Sequence, residues 1–354
     1  MSSASNQDLP NAPFPIFTTV SSYREWRRKA YEERKSVGFV ATMGALHEGH
    51  ASLVKRSLAE NDLTVISIFV NPAQFAPHED LATYPRTLPN DIDVLSSLSF
   101  SSPALGSHTR KASALFLPTV SEMYPSGISQ DTSSQKGTFV EVKGYGHQME
   151  GRTRPTFFRG VATIVTKLFN VIEPTRTYFG QKDIQQALLL RRMVRDLLLA
   201  HPTPENLFIA PTARDPTTSL ALSSRNAYLT PYERTQVAPT LYRALDLAKT
   251  KWEAGASKVE CVNAANKFIN DASARFAAPS SGNEDEKADV RLDYVEMNDP
   301  ETFDVLHDEV DKRGWENGQQ GRPVILSGAM YVGKTRLIDN LVLGDKGRLG
   351  IVSE

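Results

Sequence analysis

Cysteine is almost absent from this chain. Its 354 residues include one, Cys261, which excludes an internal disulfide framework and any cysteine-based zinc site and suits a reducing compartment. No chemical motif surrounds it, so a packing or surface role is expected. Long apolar runs are missing too, none approaching the ~18 residues that a membrane-spanning helix needs. Neither sign of charge dominates: 40 Lys and Arg face 41 Asp and Glu, a formal net charge of −1. That excludes the global basic field of a nucleic-acid binder. The opening MSSASNQDLPNAPFP has neither the apolar stretch of a secretory signal nor the arginines of a transit peptide. Residues 1–13 read as a disordered lead-in, and a cytoplasmic protein without membrane or nucleic-acid partners is expected. The rest of the composition, 40% hydrophobic and 23% charged, is ordinary for a globular chain with room for two domains.

The chain is organised around VGFVATMGALHEGHASLVKRSL, residues 37–58. Val37 to Ala41 is a short apolar run suited to a strand buried on both faces. Thr42-Met43-Gly44 breaks it, and Ala51, Val54 and Leu58 then recur at helical spacing, predicting a helix from near Glu48. Strand, tight turn and helix aim backbone N–H groups and a positive dipole end at an anion. His47 and His50, three apart, share one face of the first turn. H-x-G-H in this setting is the nucleotidyl-transfer signature; alone, the pair reads more readily as surface histidines on a helix cap.

Further along, helix is expected over 23–35 and strand over 63–70, ending at Asn71-Pro72. Ligands of open parallel sheets sit beyond the carboxyl ends of strands, so Asn71 and Gln74 fall where polar contacts belong. Asp91 lies near another helix start, in the loop-like YPRTLPND. Residues 99–114 and 126–135 look like surface insertions, and strands are expected at 114–118 and 138–142. The clearest helix is 156–172, with Val161, Ile164, Val165, Leu168, Phe169 and Ile172 on one face. Arg152, Arg154 and Arg159 gather at its start, as anion chelators or as solvated charge. A strand at 177–179 precedes GQKD, where Lys182 is placed to meet phosphate, then a helix at 184–199 containing Gln186. After a strand at 206–210, LALSSRN puts two hydroxyls and an arginine in a short run suited to a triphosphate. These alternations indicate an α/β fold with a doubly wound parallel sheet. Helices over 231–253 and 258–276, a polar linker at 279–287, and strands at 289–297, 323–327 and 337–342 indicate a smaller α+β second domain. A polar insertion is expected at 311–322.

Residues 328–335, GAMYVGKT, match the phosphate-loop pattern completely. A phosphate loop must open a long helix, yet RLIDNLVL is soon followed by Gly344-Asp345-Lys346-Gly347. Strand, turn and strand is the expectation here. A phosphate-loop ATPase or a non-catalytic nucleotide sensor is the rival function.

Four segments in this order, ATMGALHEGH, IFVNPAQF, FGQKDIQQ and LALSSRN, resemble the pantoate–β-alanine ligase (pantothenate synthetase) family, within the wider H-x-G-H nucleotidylyltransferases. SEMYP, EGRTRP, DYVEMNDPETF and TRLIDN support the likeness, which runs from about residue 14 to 342. The resemblance implies a Rossmann-like N-terminal domain over 14–212, a C-terminal lid over 213–354, a homodimer, and Mg²⁺ with ATP. It implies ATP contacts from Met43, Gly44, Ala45, Leu46, His47, Glu48, Gly49 and His50. It implies others from Gly180, Gln181, Lys182 and Asp183, and from Ala213, Leu222, Ser223, Ser224 and Arg225. Gln74 and Gln186, with Asn71 beside them, would hold pantoate; Gln74 would also lie near β-alanine, and Asp91 near Mg²⁺. His47, His50, Lys182 and Arg225 would carry the catalysis. Three positions depart from the family pattern: Ala41 for Pro, Phe157 for His and Ser219 for Gly.

Overall fold

The computed structural model describes residues 9–75, 81–278, 286–318 and 321–351. Most of the expected lead-in, 279–285 of the expected linker, and 319–320 of the expected insertion lie outside them. The described chain divides into two compact units. The first comprises 1–146, 154–179 and 189–208; the second comprises 147–153, 180–188 and 209–354.

The first unit is built on a six-stranded parallel sheet. Its strands are β1 (Ile16–Phe17), β2 (Val37–Thr42), β3 (Leu63–Ile68), β4 (Ala114–Phe116), β5 (Arg176–Gly180) and β6 (Leu207–Ala210). They lie in the order β1-β4-β3-β2-β5-β6. β2 and β3 pair in register from Val37↔Leu63 to Thr42↔Ile68. Both are buried along nearly their whole length, as apolar runs covered by helices on each face must be. The order turns at β2, with β3 and β4 stepping out on one side and β5 and β6 on the other. Open α/β sheets bind ligands at the carboxyl ends around such a switch.

Two expectations in the chain fail. Residues 138–142, rich in β-branched side chains, form no strand. The Thr163 hydroxyl instead receives the Val140 N–H at 2.9 Å and donates to the Val140 carbonyl, so this segment docks on the Phe157–Ile172 helix. The single helix expected over 231–253 is interrupted. Glu233–Val237 forms a wide turn with the Ala238 N–H on the Glu233 carbonyl, and a regular helix starts only at Thr240, after Pro239. Proline's ring and missing N–H account for the break.

The second unit holds an antiparallel sheet, β7 (Val290–Asn298), β8 (Val324–Val332) and β9 (Thr335–Leu343), in that order. Leu241, Leu245 and Trp252 from the Thr240–Glu253 helix and Ile269 and Phe276 from Lys258–Ala277 pack with Met297, Leu326 and Met330. The phosphate-loop look-alike is a hairpin. Val332 pairs with Thr335 across a two-residue turn, and Gly333 adopts φ +55°. A Cβ on Gly328 would lie 3.2 Å from Leu241 and from the Tyr294 carbonyl, so that glycine serves close packing of helix on strand. Among the described residues, no helix is long and apolar enough to cross a membrane.

Candidate active site

In the first unit, the chain leaves β2 through two left-handed residues, Gly44 (φ +83°) and Ala45 (φ +51°). The Thr42 hydroxyl ties this exit down, donating to the Ser67 carbonyl at 2.8 Å and accepting the Gly44 N–H at 3.2 Å. Asp91, buried in the first turn of the Leu88–Ser97 helix, completes the anchor. Its two oxygens accept the Ala45 N–H at 3.1 Å and the Leu46 N–H at 2.7 Å, with the Thr87 hydroxyl at 3.3 Å. The carboxylate that the family resemblance places near magnesium is thus engaged by the loop's own backbone. Among the described residues, no three His, Cys, Asp or Glu side chains gather as a metal site.

His47 caps the Glu48–Glu60 helix. Its Nδ1 accepts the Gly49 N–H at 3.1 Å, so in the neutral ring the proton sits on Nε2. The His47 and His50 rings lie 4.2 Å apart, centroid to centroid. Two imidazoles at the positive end of a 13-residue helix make an anion-binding feature.

Asn71 caps and Gln74 ends a short turn, Pro72–Gln74, after β3. Backbone groups fix how these amides point. The Ala73 N–H donates to Asn71 Oδ1, and Asn71 Nδ2 donates to the Gly160 carbonyl at 3.2 Å. Asn71 Nδ2 also donates to Gln74 Oε1 at 3.0 Å, while the Tyr124 hydroxyl donates to Asn71 Oδ1 at 2.7 Å. Asn71 is a brace, and Gln74 keeps its Nε2 as a hydrogen-bond donor for a carboxylate or hydroxyl. Burial raises the Tyr124 hydroxyl above its ordinary range, so it remains a donor at neutral pH. Arg154 donates to the Gln74 carbonyl at 2.9 Å and sits 3.9 Å above the Phe157 ring. Phe157 therefore helps hold an arginine beside Gln74. Arg159 stacks on Phe139, and Arg152 pairs with Glu296.

In the second unit a small cleft is lined by Lys182, Ser223, Arg225, Asn226, Tyr242, Arg336 and Asp339. Lys182 lies on the one-turn helix Gln181–Asp183, its Nζ 3.5 Å from Asp183. Ser223 caps the short Ser224–Tyr228 helix and accepts the Arg225 N–H at 3.3 Å. The Leu222 N–H donates to the Ala213 carbonyl, closing the loop between them. Within that loop Ser219 takes φ +63°, a conformation that favours glycine. Arg214 lies over Tyr242 and meets Asp339 with both its terminal nitrogens, at 2.6 and 2.8 Å. Arg336 is held by Glu150 and Asp293, which keep its guanidinium firmly protonated. Gln186 is half-buried, whereas its neighbour Gln185 is buried against the 148–150 backbone. Sequence reasoning missed Tyr124, Arg214, Asp339 and Asn340. SEMYP and TRLIDN mark three of them, but their partners lie 53 to 159 residues away.

The family model for pantoate-beta-alanine ligase matches residues 15–342. Pantoate--beta-alanine ligase of Saccharomyces cerevisiae is 43% identical over 338 residues, covering 93% of this chain and 99% of that protein. Pantothenate synthetase of Herpetosiphon aurantiacus is 41% identical with the same coverage. Among solved structures, pantothenate synthetase of Thermus thermophilus is 38% identical with a TM-score of 0.70, covering 93% and 99% of the two chains. The Francisella tularensis enzyme, solved with beta-gamma ATP and beta-alanine, is 28% identical with a TM-score of 0.63, over 93% and 97%. With the parallel sheet, the histidine-capped helix and a model match over nearly the whole chain, this chain belongs to the pantoate-beta-alanine ligase family.

Proposed function

We propose that this chain condenses pantoate with β-alanine at the expense of ATP, through a pantoyl adenylate. Family membership over residues 15–342 is the observation that carries the reading. In the first step a pantoate carboxylate oxygen bonds to the α-phosphorus, and the bond to the bridging oxygen breaks, releasing pyrophosphate. In the second the β-alanine nitrogen bonds to the pantoyl carbonyl carbon, AMP departs, and the nitrogen loses a proton.

The first nucleophile is already an anion, so step one needs no general base. It needs charge neutralised around the phosphates by donors that are already in place. His47 and His50, Lys182, Arg225 and the Ser223 and Ser224 hydroxyls are assigned that work, with His50 a proton donor to departing pyrophosphate. Gln74, a donor through Nε2, orients substrate and is no base; Gln186 assists it. Mg²⁺ enters with ATP as part of the substrate, and Asp91 is assigned to hold the loop. Residues 213–354 act as a lid that keeps the mixed anhydride from water. A homodimer in the cytoplasm completes the proposal; the single buried cysteine suits a reducing setting.

The test is pantoate-dependent exchange of labelled pyrophosphate into ATP, followed by AMP release only when β-alanine is added. His50→Ala and Lys182→Ala are each expected to cut exchange by about 10²-fold or more with the fold intact. Exchange without pantoate, or near-normal exchange in either variant, refutes the corresponding assignment.

A further inference from the structure

We infer that Asn340 is a positioning residue that sets Lys182 in place. The Gln181–Asp183 turn has three residues and no side-chain cap, so it holds few hydrogen bonds of its own. Its position is borrowed from β9. Asn340, buried in that strand, donates from Nδ2 to the Gln181 carbonyl and to the Lys182 carbonyl, both at 2.9 Å. Its Oδ1 accepts from Gln181 Nε2 at 3.3 Å.

The strand behind this clamp is itself fixed. Asn340 pairs with Ser327 and Asp339 with Gly328 across the β8–β9 ladder. The Asn340 N–H donates to Asp339 Oδ1 at 2.8 Å, and Asp339 carries the two-pronged contact from Arg214. Asp339 also lines the cleft with Lys182 and Arg225. One nitrogen with two hydrogens facing two carbonyls is a fit that few side chains offer. Aspartate at 340 would set a charge against both carbonyl oxygens, and glutamine would overreach by a methylene. The expected consequence of losing the clamp is a lysine misplaced by a fraction of an ångström to an ångström, which costs about tenfold or more in rate.

The inference rests on the reading that Lys182 meets ATP phosphate, and a double-mutant cycle on pyrophosphate exchange separates the two. Asn340→Ala is expected to lower exchange at least tenfold in the parent and less than twofold in a Lys182→Ala background. The KM for β-alanine is expected to stay unchanged. Asn340→Ser, which keeps one donor, should fall between parent and alanine, and keeps the test open if alanine does not fold. Equal losses in both backgrounds overturn the inference while leaving the lysine's role standing. Full exchange by Lys182→Ala overturns both.

Discussion

Replacing Gly160 with alanine sets two physical effects against each other, and the sign of the outcome decides between them. Gly160 sits inside the Phe157–Ile172 helix. On helix propensity alone, alanine should stabilise by about 1 kcal/mol. However, a Cβ built at this position falls 2.1 Å from the Ala73 carbonyl oxygen and 2.6 Å from its carbon. Relief to ordinary contact requires the helix and the Pro72–Gln74 turn to part by more than 1 Å, with backbone on both sides of the clash. Overpacking of this kind costs about 1–3 kcal/mol, and the stiffness of the opposing backbone favours the upper end. Net destabilisation of about 2 kcal/mol is expected. The same displacement pulls the Gly160 carbonyl from Asn71 and frees Gln74 from its brace. The KM for pantoate should therefore rise by about tenfold or more as substrate orientation is lost. Chemical denaturation and a pantoate titration of pyrophosphate exchange measure both. A variant at least as stable as the parent, with an unchanged pantoate KM, refutes the packing argument and the role given to the brace.

Three further outcomes are expected. Asp91→Ala strands the Ala45 and Leu46 N–H groups, at about 1–3 kcal/mol each where they stay buried. The KM for ATP should rise, and extra Mg²⁺ should not restore it; restoration would make Asp91 a metal ligand. Ser219→Gly removes a side chain from φ +63° and should raise stability by about 1 kcal/mol in denaturant melts with turnover unchanged; a loss would show that the serine is not strained. Burial pushes the Cys261 thiol up to about 11 from its ordinary 9.0. Above pH 9 the unfolded chain ionises first, so the folded state loses stability between pH 9 and about 11. Cys261→Ala should lack that part of the decline, and parallel stability curves from pH 7 to 11 would sink the assignment.

The elements that sequence located well are those whose signal is local. β2 and the helix from Glu48 follow from an apolar run, a break, and Ala51, Val54 and Leu58 on one face. The Phe157–Ile172 helix follows from the same kind of spacing. Residues 138–142 carry an equally strong strand pattern, but a strand also needs a neighbour, and theirs is a threonine hydroxyl on a helix. Asp91 shows the same limit at the site. A carboxylate near a helix start is visible in one dimension, whereas its attachment to residues 45 and 46 depends on how β2 and the Leu88–Ser97 helix come together. Asn340 is invisible for the same reason, its carbonyl partners lying 158 and 159 residues earlier.

The two phosphate-binding patterns in this chain differ in what surrounds their backbone N–H groups. In GAMYVGKT, residues from Gly328 to Val332 and from Thr335 onward are committed to the β8–β9 pairing, so the segment cannot offer a cradle of N–H groups. Its glycines serve a packed helix and a tight turn. In the loop after β2 the Ala45 and Leu46 N–H groups are likewise taken, by Asp91. What that loop adds is the positive end of the Glu48–Glu60 helix with the His47 and His50 rings beside it. The proposed anion binding there draws on the helix end and the histidine side chains more than on loop backbone. For that reason H-x-G-H is informative in this chain while a complete phosphate-loop match is not.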